Sequence, residues 1–186
     1  MLFILFVSII VLQRVLELYI ARKNEKWMKG QGGVEYGQEH YPIMVTMHIM
    51  FFVALLVEVL VLNKQLSSWW PVLLSLFFVT QAIRIWALSS LGKYWNTKII
   101  VLPNTSIVKK GPYKYFRHPN YTIVALEILV IPMLFEAFWT AVIFTILNVL
   151  MLSVRIPLEE KALMSVTDYT EQFKEISRFP TPLKKS

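Results

Sequence analysis

The stretch YTIVALEILVIPMLFEAFWTAVIFTILNVLMLSV, residues 121–154, decides the fold. It is two apolar runs, 121–135 and 138–154, separated by Glu136 and preceded at the break by Pro132. A run of about 20 apolar residues at 1.5 Å rise crosses about 30 Å of hydrocarbon, where only a helix satisfies its own backbone. The first run is short and Pro132 ends it, so the pair reads as a tight helical hairpin. Working outward, apolar runs of similar character cover 2–19, 42–62 and 69–91. The sequence therefore predicts an all-α integral membrane protein of about five transmembrane helices. It reads as one domain over 1–186, with three N-terminal spans in 1–91 and a loop, the hairpin and a C-terminal tail in 92–186.

Composition agrees. Of 186 residues, 56% are hydrophobic, and the mean hydropathy is +0.53. The net charge of +7 raises nucleic acid as a partner. That class is rejected, because most of the charge sits in loops beside apolar runs, where it sets topology. There is no cysteine, which excludes disulfides, thiolate chemistry and lipidation of the chain's own thiols. The first run lacks a basic leader, and Gln13, Arg14 and Glu17 interrupt it without a small-residue cleavage site, so a retained helix is expected.

Lys and Arg give the orientation. Arg22, Lys23, Lys26 and Lys29 lie in the first loop, and only Lys64 in the second. Lys93, Lys98, Lys109, Lys110, Lys114 and Arg117 lie in the third, and none lies in the hairpin turn. Arg155, Lys161, Lys174, Arg178, Lys184 and Lys185 follow the last span. This alternation puts the N-terminus outside and the C-terminus in the cytosol. Trp69 and Trp70 suit an interfacial aromatic belt. After Val154 the spacing of Leu158, Ala162 and Leu163, then of Tyr169, Phe173 and Ile176, predicts two short amphipathic helices on the cytosolic face. Thr167 or Asp168 is placed to cap the second.

Six ionisable residues interrupt the spans: Arg14, Glu17, His48, Glu58, Arg84 and Glu127. Charge in hydrocarbon must pair, snorkel or line a wet cavity. Arg14 and Glu17, a turn apart, are expected to pair. Glu58 is expected to reach the interface, and His48 to be a hydrogen-bonded packing residue. Glu127 is the stronger functional candidate, about two turns inside the membrane from the motif below. No spacing of His and Glu suggests a metal site.

That motif is Gly111-Pro-Tyr-Lys-Tyr-Phe-Arg-His-Pro-Asn-Tyr121, which joins a basic loop to the fourth span. Pro119 suits the first turn of a helix. The free N–H groups of that turn can bind an anion such as a carboxylate. Tyr113 and Tyr121 offer aromatic faces against which an adenine or a sulfonium packs. A second cluster, Arg155-Ile-Pro-Leu-Glu159-Glu160, leaves the last span. Arg155 and Glu159 share a face if the helix runs through Pro157, which can instead kink it. Each cluster alone reads as a solvated interfacial segment. An antiparallel hairpin brings the two together at one membrane face.

The pattern Gly111-x-Tyr113-x-x-x-Arg117-His118-Pro119-x-Tyr121, followed by Arg155-x-x-x-Glu159-Glu160, resembles the isoprenylcysteine carboxyl methyltransferase family with its prokaryotic and phospholipid-methylating relatives. Leu91-Gly92-Lys93-Tyr94-Trp95 is similar to the family's upstream segment, and Tyr169 and Arg178-Phe179-Pro180 to its ending, so the likeness covers roughly 84–182. It implies a membrane methyltransferase using S-adenosylmethionine. By motif position, Tyr113, His118, Pro119, Asn120, Tyr121 and Glu159 would line the cofactor site. Ile107 and Val108 would flank the adenosine, and Arg155 would face the acceptor. A carboxylate at Glu159 suits an ammonium, while His118 and the helix N–H groups suit a carboxylate. Thr122 and Ile123 stand where many members carry glycine, and Phe173 replaces a frequent Tyr. Lacking the extra N-terminal spans of the eukaryotic enzymes, the chain resembles the compact prokaryotic type. That implies a plasma membrane with the site facing the cytosol.

Methyl transfer needs alignment and a desolvated nucleophile. No general base stands beside the motif, which favours an acceptor already ionised near neutral pH. The compact relatives include enzymes acting on hydroxyls of polyketide alkylpyrones, so the first expectation is a lipophilic acceptor with such an acidic hydroxyl. A prenylcysteine-like carboxylate is second and a phospholipid amine third. A non-catalytic membrane interaction protein is the competing class. The partners expected are a lipophilic small molecule and the lipid bilayer.

The topology has a direct test. Reporter fusions at Lys64 and at Ser186 are expected to report opposite sides of the membrane; the same side for both would overturn the orientation and the placement of the site.

Overall fold

The computed structural model describes residues 1–180. The helices are α1 (Leu2–Gly30), α2 (His40–Val61), α3 (Trp70–Leu91), α4 (Pro119–Leu134), α5 (Phe138–Val166) and the single turn α6 (Tyr169–Gln172). Of these, α1, α2, α3 and α5 are long and apolar enough to cross a membrane, and α4 is a shorter apolar helix. Its 16 residues extend about 24 Å. It packs along α3, and the segments at its two ends extend that contact. The 3₁₀ turn Gly111–Lys114 before it packs on α3, and the Ser67 amide, ahead of α3, donates to the Leu134 carbonyl at the far end (3.0 Å). The chain is an all-α membrane protein with the expected five apolar helices. Lys184, Lys185 and the end of the 84–182 likeness lie outside the described residues.

The apolar core gathers toward the hairpin turn. Phe3, Val7 and Ile10 of α1 meet Phe51 and Leu55 of α2, Phe77 of α3, Ile128 and Ile131 of α4 and Phe144 of α5. Phe3 and Phe135 meet edge to face with centroids 4.8 Å apart, a favoured aromatic geometry. Leu5, Ile9, Leu12, Leu16, Phe78, Val79, Leu147 and Leu150 are exposed on the outer faces, which suits a lipid surround.

The ionisable residues of the spans have specific partners. Arg14 pairs with Glu17 as expected (2.5 Å) and also with Glu127 (2.9 Å). Arg84, 3% exposed, donates through Nε to Glu127 (3.1 Å) and through Nη1 to Glu17 (3.3 Å), and its Nη2 pairs with Glu127 as well. Gln81 donates to Glu127 (2.6 Å), and Gln13 donates to Glu17 (3.0 Å) and Gln81 (2.8 Å). Two guanidiniums and two carboxylates thus tie α1, α3 and α4 together. The expected functional candidate Glu127 is committed to this cluster. Glu58 turns into the protein and not outward. It is buried and accepts from the Trp139 and Thr140 amides (3.1 and 2.7 Å) and the Thr140 hydroxyl (2.7 Å). These are first-turn donors of α5 that no carbonyl of its own can satisfy. The His48 Nδ1 is bonded to the Met44 carbonyl (2.8 Å), the packing role expected of it.

Two features differ from the sequence reading. The first expected tail helix is not separate, because α5 runs unbroken through Pro157 to Val166. A proline inside a helix costs one hydrogen bond and some bending, and packing on both sides outweighs that cost. Here Leu158, Ala162 and Leu163 pack on an antiparallel ribbon of β1 (Val34–Tyr36) and β2 (Ile99–Val101), with Glu35 opposite Ile100. The ribbon was not anticipated. It closes the first and third loops together, and Lys98, held by Glu25 and Glu35 (2.8 and 3.2 Å), is raised above its ordinary range by those bonds. Leu158 occupies the space a Cβ on Gly37 would need. The second difference is Asp168, whose carboxylate accepts from the Ile107 amide (2.9 Å); of the two expected caps it is the Thr167 hydroxyl that accepts from α6, at the Tyr169 amide (3.3 Å).

Removing one member of the buried cluster leaves another charge unpaired. Glu127→Leu is expected to destabilise by roughly 3–5 kcal/mol, and the Arg84→Met/Glu127→Leu pair by less than the single change, in denaturant unfolding of detergent-solubilised protein. Equal unfolding midpoints for wild type and Glu127→Leu would show that the cluster contributes nothing to stability.

Candidate active site

The hairpin brings the start of α4 against the end of α5. His118 is the residue before α4 and Pro119 opens it, where a missing N–H costs nothing. Three residues into α4, the Tyr121 hydroxyl donates to Glu159 in a short bond and accepts from Arg155 Nε (2.9 Å). Arg155, 5% exposed, lies over the Tyr121 ring, 5.9 Å from its centroid, and its Nη2 donates to the Thr97 carbonyl. Because α5 stays helical through Pro157, Arg155 and Glu159 share a face as the spacing required.

Glu160 lies one residue on, about 100° around the helix, and faces a different set. It accepts from His118 Nε2 (3.0 Å), from Arg178 Nε and Nη2 (3.0 and 2.5 Å) and from the Tyr169 hydroxyl (3.3 Å). Arg117 adds a looser ion pair (3.7 Å). The segment before Arg178 is strapped across the motif. The Arg117 and His118 amides donate to the Ser177 and Arg178 carbonyls (2.9 and 3.2 Å), and the Arg117 guanidinium donates to the Ile176 and Phe173 carbonyls (2.6 and 2.7 Å). Burial and the Glu160 carboxylate hold the Tyr169 phenol above its ordinary range, and Glu160 raises Arg178 further. Glu160 was legible only as the neighbour of Glu159. Its work as the hub joining motif to tail needed the path of the chain after Val166.

Tyr113 belongs to the same neighbourhood. Burial, and then the charge of Glu159, push its phenol well above the usual value. Gly111, at φ +56°, brings its turn against Ser90 and Trp86, where any Cβ would collide. Asn120 has a buried Oδ1 with no hydrogen-bond partner among the described residues. Ile107 and Val108 lie half-buried in the loop before the turn, fixed by Asp168 at the Ile107 amide, outside the Tyr121–Arg155–Glu159 chain. The site thus combines a carboxylate, an unpartnered amide oxygen, aromatic faces and a guanidinium. That donor set fits a ligand carrying an ammonium, a sulfonium and an adenine.

The family description "Isoprenylcysteine carboxyl methyltransferase (ICMT) family" matches residues 73–165, which contain both motifs and the whole hairpin. The chain belongs to this family. It is a membrane methyltransferase of the isoprenylcysteine carboxyl methyltransferase family. The uncharacterized protein YpbQ of Bacillus subtilis is 52% identical to it over 161 residues, 87% of this chain and 96% of that protein. An uncharacterized protein of Haemophilus influenzae is 28% identical over 151 residues, 81% and 88% of the two. No solved structure matches. The family match ends before Tyr169 and Arg178, so the strap that holds His118 through Glu160 lies beyond it in this methyltransferase.

Glu160→Gln is expected to loosen that strap. Amide exchange at Arg117 and His118, which donate to the strap's carbonyls, should quicken about tenfold or more, as for loss of a hydrogen bond to a charged group worth about 1.5–3 kcal/mol. Unchanged exchange at both amides would mean that Glu160 does not hold the tail.

Proposed function

We propose that this methyltransferase uses S-adenosylmethionine to methylate an acidic oxygen of a lipophilic acceptor, of the kind a polyketide alkylpyrone hydroxyl presents. The observation that carries the reading is the Arg155–Tyr121–Glu159 chain, a guanidinium and a carboxylate held apart by one phenol at the membrane face. In this reading Glu159 holds the ammonium of the cofactor's amino-acid head, and Asn120 Oδ1 accepts one of its donors. His118, fixed by Glu160, and the first amides of α4 take its carboxylate. Pro119, Tyr113 and Tyr121 form the walls, with Ile107 and Val108 toward the adenosine. When bound, the cofactor supplies an electrophilic methyl group on a sulfonium.

Arg155 then positions the acceptor. Its Nε and Nη2 are anchored on Tyr121 and Thr97, so the guanidinium is fixed before the acceptor arrives, and binding spends little entropy on ordering it. A fixed cation favours an oxygen anion and disfavours a cationic amine, which places phospholipid N-methylation behind both acids. A prenylcysteine-like carboxylate meets the same requirement and is the second reading. The acceptor's apolar tail enters between helices from the lipid, and the cofactor from the cytosolic face of a prokaryotic plasma membrane. A non-catalytic interaction protein would keep the fold without binding the cofactor.

Two measurements test this. His118→Ala and Glu159→Gln are each expected to weaken S-adenosylmethionine binding by roughly tenfold or more in titration calorimetry, as for loss of a charge-assisted bond of about 1.5–3 kcal/mol. Affinities equal to wild type in both variants would remove them from the cofactor site. Arg155→Lys keeps the charge but loses the planar fork. Turnover on an alkylpyrone or prenylated acid should fall by more than tenfold with cofactor affinity little changed, whereas near-normal turnover would mean that Arg155 only snorkels.

A further inference from the structure

The indole N–H of Trp95 is buried without a partner. Trp95 follows the 3₁₀ turn Gly92–Tyr94 and is 3% exposed, and its Nε1 has no hydrogen-bond partner among the described residues. An indole nitrogen donates only, so no rearrangement of its own hydrogen can satisfy it by accepting. Buried donors are almost always paired, and one left over calls for a reason. The chain around it offers no slack. The Trp95 and Gly92 carbonyls both accept from Asn24 Nδ2 (2.7 and 3.2 Å), and Asn96 Nδ2 donates to the Ala21 carbonyl (3.2 Å) while its Oδ1 accepts from the Lys98 amide (3.0 Å). The ring is therefore carried on a segment clamped to α1.

Two residues on, the same segment anchors Arg155. The Thr97 carbonyl accepts from Arg155 Nη2, and the Thr97 hydroxyl shares a hydrogen bond with Tyr41 (3.1 Å). Arg155 uses Nε on Tyr121 and one hydrogen of Nη2 on Thr97, so the donors left for a ligand lie along the Nη1 edge of its fork. Donors along one edge of one guanidinium hold an acid group from one side only. A second donor from a different element holds it from another.

We infer that Trp95 is a second acceptor-binding residue, donating its Nε1–H to the other oxygen of an acid group whose reacting oxygen lies at Arg155. The inference rests on the reading that Arg155 faces the acceptor. It narrows the substrate class to acids whose charge is shared by two oxygens, as in a carboxylate or a hydroxypyrone. Simple alcohols and amines lack the second oxygen and gain nothing from Trp95.

The test uses the full chain in detergent with ¹⁵N-labelled indoles. The chain has six tryptophans, and the resonance lost in Trp95→Phe identifies this one. With S-adenosylhomocysteine present, adding an alkylpyrone or a prenylated carboxylic acid is expected to shift the Trp95 indole proton downfield, while the matching alcohol leaves it in place. An indole resonance that ignores the acids overturns the assignment, whether or not methyl is transferred. In turnover, Trp95→Phe is expected to raise the acceptor KM roughly tenfold, equivalent to about 1.4 kcal/mol, with cofactor affinity unchanged. Should the smaller ring impair folding, β-(3-benzothienyl)alanine at position 95 keeps the bicyclic shape and removes only the N–H. The same KM rise is expected there, and a wild-type KM in that variant overturns the inference. Failure of the methyl-transfer reading is seen separately, as wild-type protein that shifts the indole on binding the acid yet transfers no methyl to it.

Discussion

The polar groups within the spans answer to one constraint: inside hydrocarbon there is no water to complete a hydrogen bond or to screen a charge. The Arg14–Glu17–Arg84–Glu127 cluster meets it by neutralising itself, two cations against two anions, with Gln13 and Gln81 taking up remaining oxygens. Glu58 meets it differently, by spending its carboxylate on the free amides that begin α5. In both cases the pairing joins separate helices, so the cost of burying charge is turned into a fixed helix arrangement. An apolar interface between helices has no such directionality, because lipid tails compete for it on nearly equal terms.

The hairpin uses that fixed arrangement. The ion cluster holds α4 to α1 and α3 at Glu127, and Glu58 holds the start of α5 to α2. With both helices held, the start of α4 meets the end of α5, and two adjacent acids divide the labour. Glu159 joins Tyr121 and, through it, Arg155, on the membrane side of the motif. Glu160, a third of a turn away, collects His118, Tyr169 and Arg178 and draws the tail over the motif. The second acid therefore acts on the site through His118 and the strap, while the first is available to a ligand. Had Pro157 broken α5, these two directions would not have been set by helix geometry.

The sequence revealed the spans and the meeting of the two motifs because both rest on simple periodic facts: runs of about 20 apolar residues, and antiparallel helices joined by a tight turn. It also revealed the Arg14–Glu17 pair, a local contact. What it hid was mostly long-range or dependent on context. Glu58 sits near a span end, and snorkelling and capping another helix look alike until the partner helix is placed. The three-residue strands at Val34–Tyr36 and Ile99–Val101 are too short for alternation to show, and each is stable only because the other is there. The continuation of α5 past Pro157 depends on Leu158 and Ala162 finding the ribbon, so missing the ribbon entailed missing the long helix. The commitments of Asp168 and Glu160 likewise follow from the path of the tail, which amphipathic spacing alone does not give.

The same low-polarity surroundings that demand pairing also favour the chemistry assigned to the site. Among the described residues Arg155 is buried without a direct carboxylate partner; its partners are a phenol and a peptide carbonyl, both neutral. The other two guanidiniums of the spans, Arg14 and Arg84, each touch a carboxylate directly. A cation left with neutral partners retains its attraction for an anion. In a medium that screens poorly, that attraction is stronger than it would be in water. In the proposed reading, an acid that partitions into the bilayer through its tail meets, at the membrane face, a cation with no carboxylate in direct contact. Direct pairing of Arg155 with Glu159 would weaken that attraction, and the phenol of Tyr121 stands between the two instead.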